Sequence, residues 1–527
     1  LIGQRLQIEE SLPPVDSDSL ITVPDESGNQ VALHAGAGFT LSTIALEDLT
    51  VFTAEQLRPY YESYLGKTVT LNDLTQIANA ITAHYRSAGY ILSRAYVPPQ
   101  RVENGVVEIR IVEGSINRVR FEGVPTTSGW LAEYADKIQN AKPLDAPSLE
   151  RYLLLINDLP GVSAHAVIQP SADTPGTADV VVMIQEKIMD GSLTVDNRGT
   201  RYMGPVEGGL TLNANNVLGL YDQTQLRGVG TTQFDEMHYA EIVHTEQLDS
   251  EGTKLAVSAG YTHTAPDYKL APFEIEGRDD VFSLDVSHPF LRSRQANLFG
   301  DVKFDVRQTD TSSLNVPLYD DRLRVLRAGG SYDYVDDFAG INKVETELSK
   351  GFDWDAASSV GARSRATGEP DFVKETAQAS RLQPIGGPVN LYVAATGQWS
   401  ADTLLTSEQF GIGGAEFGSA YDPSEIAGDS GLAGRAELQY ARSGDLEYVQ
   451  SFQLYGFYDI GAVWLRNPSN GQNPEASLAD TGVGLRFNVM ESLSGGLECA
   501  LPLTRSVAAD GQDGKRPRAF FSLAYRY

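Results

Sequence analysis

The chain has 527 residues, with 70 acidic against 41 basic side chains and a net charge of −29; its mean hydropathy is −0.23. So acidic a composition argues against a nucleic-acid role, because phosphate binding needs a basic face. No run reaches the ~18 consecutive apolar residues of a membrane helix, although barrel strands, which alternate, escape that test.

In chain order, LIGQRLQIEE lacks the basic start and apolar core of a signal peptide. Residues 1–36, punctuated by LPPVDSDS and PDESGNQ, read as a tail or linker. FTLSTIALED alternates as a strand, and a short helical stretch runs from Thr53 to Leu65. Thr70 and Asp73 form a capping-box pattern ahead of Leu74, Ile77, Ala78, Ile81 and Tyr85, which share one helix face. Gly89 stands where a left-handed cap belongs, and ILSRAYV and GVVEIRIVEG follow as strands on either side of PPQ. The order strand–helix–helix–strand–strand then recurs. INRVRFEG is a strand, Ser128 to Gln139 and Ala146 to Asn157 are helices, and VSAHAVIQP and TADVVVMIQEK close the unit. Leu149, Tyr152, Leu153 and Ile156 mark the inner face of the second helix. The two modules are bounded at 37–114 and 115–188, an internal repeat.

From about residue 189 to 527 helical periodicity disappears. Segments of roughly ten residues alternate apolar and polar between Gly, Asp, Asn, Ser and Pro, and about sixteen of them fit an antiparallel transmembrane β-barrel. In TGVGLRFNV, Val483, Leu485, Phe487 and Val489 alternate with Gly482, Gly484, Arg486 and Asn488. Even-numbered closure and alternating short and long connections favour such a barrel over a soluble sandwich, whose strands are shorter and whose two inner faces are apolar.

Two catalytic-looking phrases do not survive their context. Gly428–Gly431 reads Gly-Asp-Ser-Gly, the way a trypsin-like protease presents its serine, and ITAHYR holds His84. Leu432 follows where an oxyanion-hole glycine belongs, and His84 flanks an amphipathic helix in another domain, as a packing residue. Asp429 and Ser430 are expected to end a loop through turn-type bonds to the backbone. With a single cysteine, Cys499, and scattered histidines, neither a disulfide nor a metal constellation is expected. Acidic runs such as YDDR read as solvated loop acids. GIGGAEFG lacks the strand–helix setting of a phosphate loop.

Several stretches together resemble outer-membrane transporters of two-partner secretion, the haemolysin activator and filamentous haemagglutinin transporter type. YRSAGYILSRAYVPPQRVENGVVEIRIVEGSI is similar to their POTRA domain. VDNRGTRYMGPVEGGLTLNANNVLGLYDQTQLRG is similar to their first barrel strands, FGIGGAEFGSAYDPSEIAGDSG to the loop that folds into the pore, and FYDIG to the F-x-D-x-G strand motif. The resemblance spans residues 37–527. It implies two α+β POTRA domains followed by a 16-stranded antiparallel barrel, periplasmic N-terminal domains, and export of one large exoprotein that carries an N-terminal secretion domain. No cofactor, nucleotide or catalytic residue is implied. A monomer in outer-membrane lipid is expected. A plug helix in the first dozen residues, around Ile2, Leu6 and Ile8, is open, since Pro13 and Pro14 keep it short. The alternatives are an assembly factor of the same superfamily, with more POTRA modules, or a passive porin.

The resemblance also assigns site residues. The inward loop, about 405–430, carries Gly418, Ser419, Ala420, Tyr421, Asp422, Glu425 and Asp429, with Ser419 where the family places an arginine that pairs with the strand aspartate. Asp459 shares the inner face of its strand with Phe457 and Gly461, while Leu454, Tyr458 and Ile460 face lipid. Either the lumen is wet there or another cation substitutes for the arginine. Arg435, which alternates with Glu437 on the preceding strand, is the candidate. Client capture by strand addition at the POTRA groove points to Tyr90, Ile91, Tyr96 and Val97, of which Ile91 and Val97 also fit the core.

Overall fold

The computed structural model describes residues 21–22, 38–124, 129–174, 177–354, 363–446, 449–469, 471–490, 492–513 and 515–527. The chain divides into two units at Lys187 and Ile188.

The first module of the N-terminal unit packs the helix Leu71–Ser87 against a three-stranded sheet in the order Thr43–Glu47, Val106–Val112, Arg94–Tyr96. Thr70 and Asp73 cap the helix reciprocally, and Gly89 follows its end at φ +95°. Leu74, Ile77, Ala78, Ile81 and Tyr85 are all buried. The helical stretch after Thr53 is shorter than its pattern implied. Thr53 caps Ala54–Leu57, and Pro59, with no N–H to extend the helix, leaves two 3-10 turns, Arg58–Tyr60 and Glu62–Tyr64. His84 packs against the Phe52 ring and accepts or donates a 2.9 Å bond with the Tyr60 hydroxyl.

ILSRAYV is likewise shortened to Arg94–Tyr96, with Ile91 and Leu92 in a turn. Pro98 and Pro99 cannot donate to the ladder beyond it. The Gln100 side-chain amide replaces the missing backbone: it accepts from the Glu108 N–H at 2.8 Å and donates to the Glu108 carbonyl at 2.7 Å.

The second module repeats the plan with helices Trp130–Asn140 and Ala146–Asn157 over a sheet in the order Ile21–Thr22, Val162–Pro170, Ala178–Glu186, Ile116–Glu122. Ser128, where the sequence reading starts the first of these helices, lies outside the described residues, as does most of the 1–36 tail. Within that tail Ile21–Thr22 adds a short parallel strand to the edge Val162–Pro170.

The C-terminal unit is a closed barrel of sixteen antiparallel strands, from Met189–Asp196 to Arg518–Arg526. It closes between these two strands, with registers from Ser192 opposite Arg526 to Asp196 opposite Ser522. Asn197 extends the seam, accepting from the Phe521 N–H at 2.7 Å and donating to the Ala519 carbonyl at 3.0 Å. Leu226, Ile242, Phe282, Val302, Leu348, Leu438, Leu454, Ile460, Val483 and Leu497 are exposed on the outer face, which is the apolar band a bilayer covers. The strands Ile275–Arg292, Ala296–Ser313 and Val316–Val335 have 18, 18 and 20 residues, well beyond the ~9–11 that cross a bilayer. This length corrects one expectation. YDDR is no loop: Asp320 and Asp321 lie within a strand, and Asp321, 2% exposed, accepts from the Ser364 N–H.

Candidate functional site

Between the strands Val389–Ser400 and Ser430–Leu446 the chain turns into the barrel. Its limbs form a small hairpin, Phe410–Ile412 against Ile426–Gly428. Ile412, Phe417, Tyr421 and Ile426 pack on Ala433, Phe457, Val463 and Leu478 of the wall, so the loop fills this part of the lumen with apolar side chains. Gly461 makes the approach possible, since a Cβ there would lie 2.7 Å from the Ile412 side chain.

The tip meets the wall at two strand residues that face each other in register, Arg435 and Asp459. Asp459 is fully buried. Its Oδ2 accepts from the backbone N–H groups of Gly418 (3.1 Å) and Ser419 (3.2 Å), and Arg435 Nη1 stands 3.6 Å away. The same guanidinium donates to the carbonyls of Ala415 (3.0 Å) and Glu416 (3.1 Å) and to Ser419 Oγ (3.0 Å), lies 4.2 Å from the Phe457 ring centroid, and pairs with Glu437 at 3.3 Å. Carboxylate and guanidinium therefore grip complementary backbone groups of one turn. Gly418 adopts φ +92°, which a side chain would strain. Both side chains thus reach the loop chiefly through its backbone. Ser419, fully buried, fills the space beside the Arg435 head group.

The other loop positions each bond to barrel elements. Ala420 N donates to Asp480, which faces Asp459 in the ladder. The Tyr421 hydroxyl donates to the Ala479 carbonyl at 3.1 Å. Asp422 pairs with Arg518 at 2.6 Å, and Glu425 accepts from the Ala508 N–H at 2.7 Å. Asp429 departs from the expected turn-type pattern. It is fully buried and accepts from the distant N–H groups of Leu404 (2.8 Å) and Arg466 (2.7 Å) and from the Arg365 guanidinium, joining three loops. Ser430 bonds to the backbone of Ser400 on the neighbouring strand. Glu437, besides Arg435, pairs with Arg486 at 2.6 Å.

Sequence reasoning missed Arg198, Glu498 and Arg518. Arg198, just beyond the first barrel strand, pairs with Glu498 at 2.9 Å and donates to the Ser419 carbonyl at 3.4 Å, while Glu498 accepts from the Tyr455 hydroxyl. Inward alternation was a signal for Glu498 and Arg518; nothing local marks Arg198, which lies past the end of its strand.

In the first N-terminal module, Tyr90 and Val97 pack against the core, Ile91 is half-buried in the turn, and Tyr96 is exposed. Ala95 N–H donates to Thr82 Oγ1 at 2.9 Å, so the groups this edge strand turns away from its sheet are met by the helix. Beside it, Glu113 accepts from the N–H groups of Thr50 and Val51 (2.9 Å each), from the Thr50 hydroxyl, and from the Tyr85 hydroxyl at 2.9 Å. Burial pushes the Glu113 carboxyl up, but these bonds outweigh it and hold the group below the usual range.

Residues 39–114 match the model of the ShlB-type POTRA domain, and residues 176–487, more than half of the chain, match the haemolysin secretion/activation protein ShlB/FhaC/HecB. The chain belongs to this family. Curated relatives include the heme/hemopexin transporter protein HuxB of Haemophilus influenzae strain 86-028NP, 23% identical over 86% of this chain and 81% of that protein. Another is the outer membrane transporter CdiB of Escherichia coli O6:K15:H31, 24% identical over 95% of this chain and 84% of that protein. Among solved structures, CdiB from Escherichia coli superposes with a TM-score of 0.73 at 21% identity, covering 95% of this chain and 93% of that one. BamA from Haemophilus ducreyi reaches a TM-score of 0.54 at 12% identity over 93% of this chain and all of that one. The protein is thus an outer-membrane transporter of two-partner secretion, with periplasmic POTRA domains and a large exoprotein as its export partner.

Proposed function

We propose that the loop closes the resting pore and that Arg435, on the barrel wall, does the work of the arginine that the loop lacks at Ser419. In this reading the exoprotein is held in extended form at the POTRA grooves, around Tyr90, Ile91, Tyr96 and Val97, and then displaces the tip as it enters the barrel. The transporter acts as a monomer in lipid, and the client folding outside opposes its return. The observation that carries the reading is the single guanidinium that contacts both the buried Asp459 and Ser419 Oγ. An aspartate left there without a cation is costly, on the order of 3 kcal/mol or more.

Purified transporter with Arg435→Met, recorded in planar bilayers, should show more frequent resting openings and a barrel that unfolds at lower temperature. Moving the cation back to the loop in the pair Arg435→Ser with Ser419→Arg should restore closure. A quiet Arg435→Met channel with unchanged export would refute the assignment.

A further inference from the structure

We infer that the pore loop is pinned at both roots by buried charges of its own, so that opening is confined to a tip hinged at Gly413 and Gly414. The inference rests on the reading of the loop as the resting closure and says which part of it moves.

The incoming root is Leu404–Glu408. Leu404 and Leu405 are fully buried against Leu323, Val325 and Phe372. Glu408, 2% exposed, pairs with Arg327 at 2.8 Å and Lys374 at 2.7 Å, side chains from two different barrel strands. Its backbone carbonyl also accepts from Lys374 Nζ (3.2 Å) and Gln398 Nε2 (3.0 Å). Arg327 is itself held by Asp305 at 2.6 Å and Ser349 at 2.9 Å. Withdrawing Glu408 would leave the buried Lys374 with Gln398 in place of a carboxylate and Arg327 with the carboxylates of Asp305 and Glu347 alone, and removing one partner of a buried pair is the costly way to break it. The outgoing root is Asp429, joined to Arg365 and to the N–H groups of Leu404 and Arg466. The two roots are thus bonded to each other as well as to the wall.

The tip is held differently. Its contacts to Asp459, Asp480 and Arg435 run largely through backbone groups of residues 415–420, which can exchange for water or for an extended client without leaving a loop charge buried. Gly413 and Gly414, at φ +126° and +98°, sit where the hairpin ends and the tip begins, and such backbone turns most readily at glycine. Glu408 is therefore a positioning residue, and the gate is the segment from Gly413 to Tyr421, which ends where Asp422 pairs with Arg518.

Two cysteine pairs in a Cys499→Ser background test this by single-channel recording of the full chain, oxidised and then reduced. Ser364→Cys with Thr406→Cys ties the root, where Thr406 N–H already donates to Ser364 Oγ at 3.1 Å. Ser419→Cys with Asp459→Cys ties the tip. The expected result is openings that persist under the root link and vanish under the tip link until reductant is added. Openings abolished by the root link overturn the inference alone. Openings that survive the tip link overturn both the inference and the reading of the loop as closure. A third variant, Glu408→Gln, should add openings of larger conductance that the parent lacks, because a freed root lengthens the moving arm. A purely structural role would lower thermal stability and leave the conductance levels as they were, and that outcome also overturns the inference. Heat-modifiable electrophoretic migration checks that each barrel is folded.

Discussion

At the residue scale, the transporter twice satisfies a carboxylate with backbone N–H groups, once fully buried at Asp459 and once half-buried at Glu113. Asp459 does so for the loop tip, and Glu113 does so in the first POTRA domain. Burial and the neighbouring Glu113 charge push the Tyr85 hydroxyl above its ordinary range, so it remains a donor. For Glu113 the folded value lies below the unfolded one. Its contribution is therefore complete above the ordinary glutamate range, ~4.3, and is lost as pH falls through the depressed folded value. Protection of the Thr50 and Val51 amides in the full chain should hold from neutral pH to about 5 and fall below that, relative to the rest of the domain. Glu113→Gln should cost about 1–3 kcal/mol at neutral pH and remove the dependence, as read by hydrogen exchange. Equal protection in both proteins at pH 7 would count against it.

At the scale of elements, alternation in the sequence predicts which strand face meets lipid, but strand length depends on partners elsewhere. ILSRAYV has the pattern of a seven-residue strand, yet three residues pair, because Ile91 and Leu92 lie in a turn at one end and Pro98 and Pro99 end the ladder at the other, where Gln100 substitutes with its side chain. Three residues make a short platform for an incoming client, and the outward groups of Ala95 are engaged by Thr82. Thr82→Val should raise exchange of the Ala95 amide by roughly fivefold, as one hydrogen bond of about 1 kcal/mol is lost. If the edge is where the client adds, the same variant should capture a secretion-domain fragment more tightly. An unchanged Ala95 exchange rate would mean the threonine does not close the edge.

For the molecule as a whole, the outward half of the barrel is built for lipid, and Cys499 reports on it. This cysteine lies on the outer face between Leu497 and Leu501 and is exposed there. In proteoliposomes it should resist a charged thiol reagent and react with an apolar one; in denaturant both should react. Modification by the charged reagent in intact proteoliposomes would place the residue in water and reverse the assignment of faces.

What the sequence by itself determined is whatever local periodicity carries: two repeats of strand–helix–helix–strand–strand, the number of barrel strands, and the inward aim of Arg435, Glu437, Phe457 and Asp459. Each follows from the two-residue period of a strand or the helical repeat, and neither requires knowing a distant partner. Tertiary structure alone decided which groups meet. Glu408 lies 81 residues from Arg327, and Arg198 lies 300 from Glu498; both pairs exist because barrel closure and an inward loop bring them together. The same closure buries Asp321 and Asp429, whose neighbours in sequence read as solvated turns. A carboxylate's surroundings are fixed by register and loop packing across the lumen, and local pattern holds no record of either.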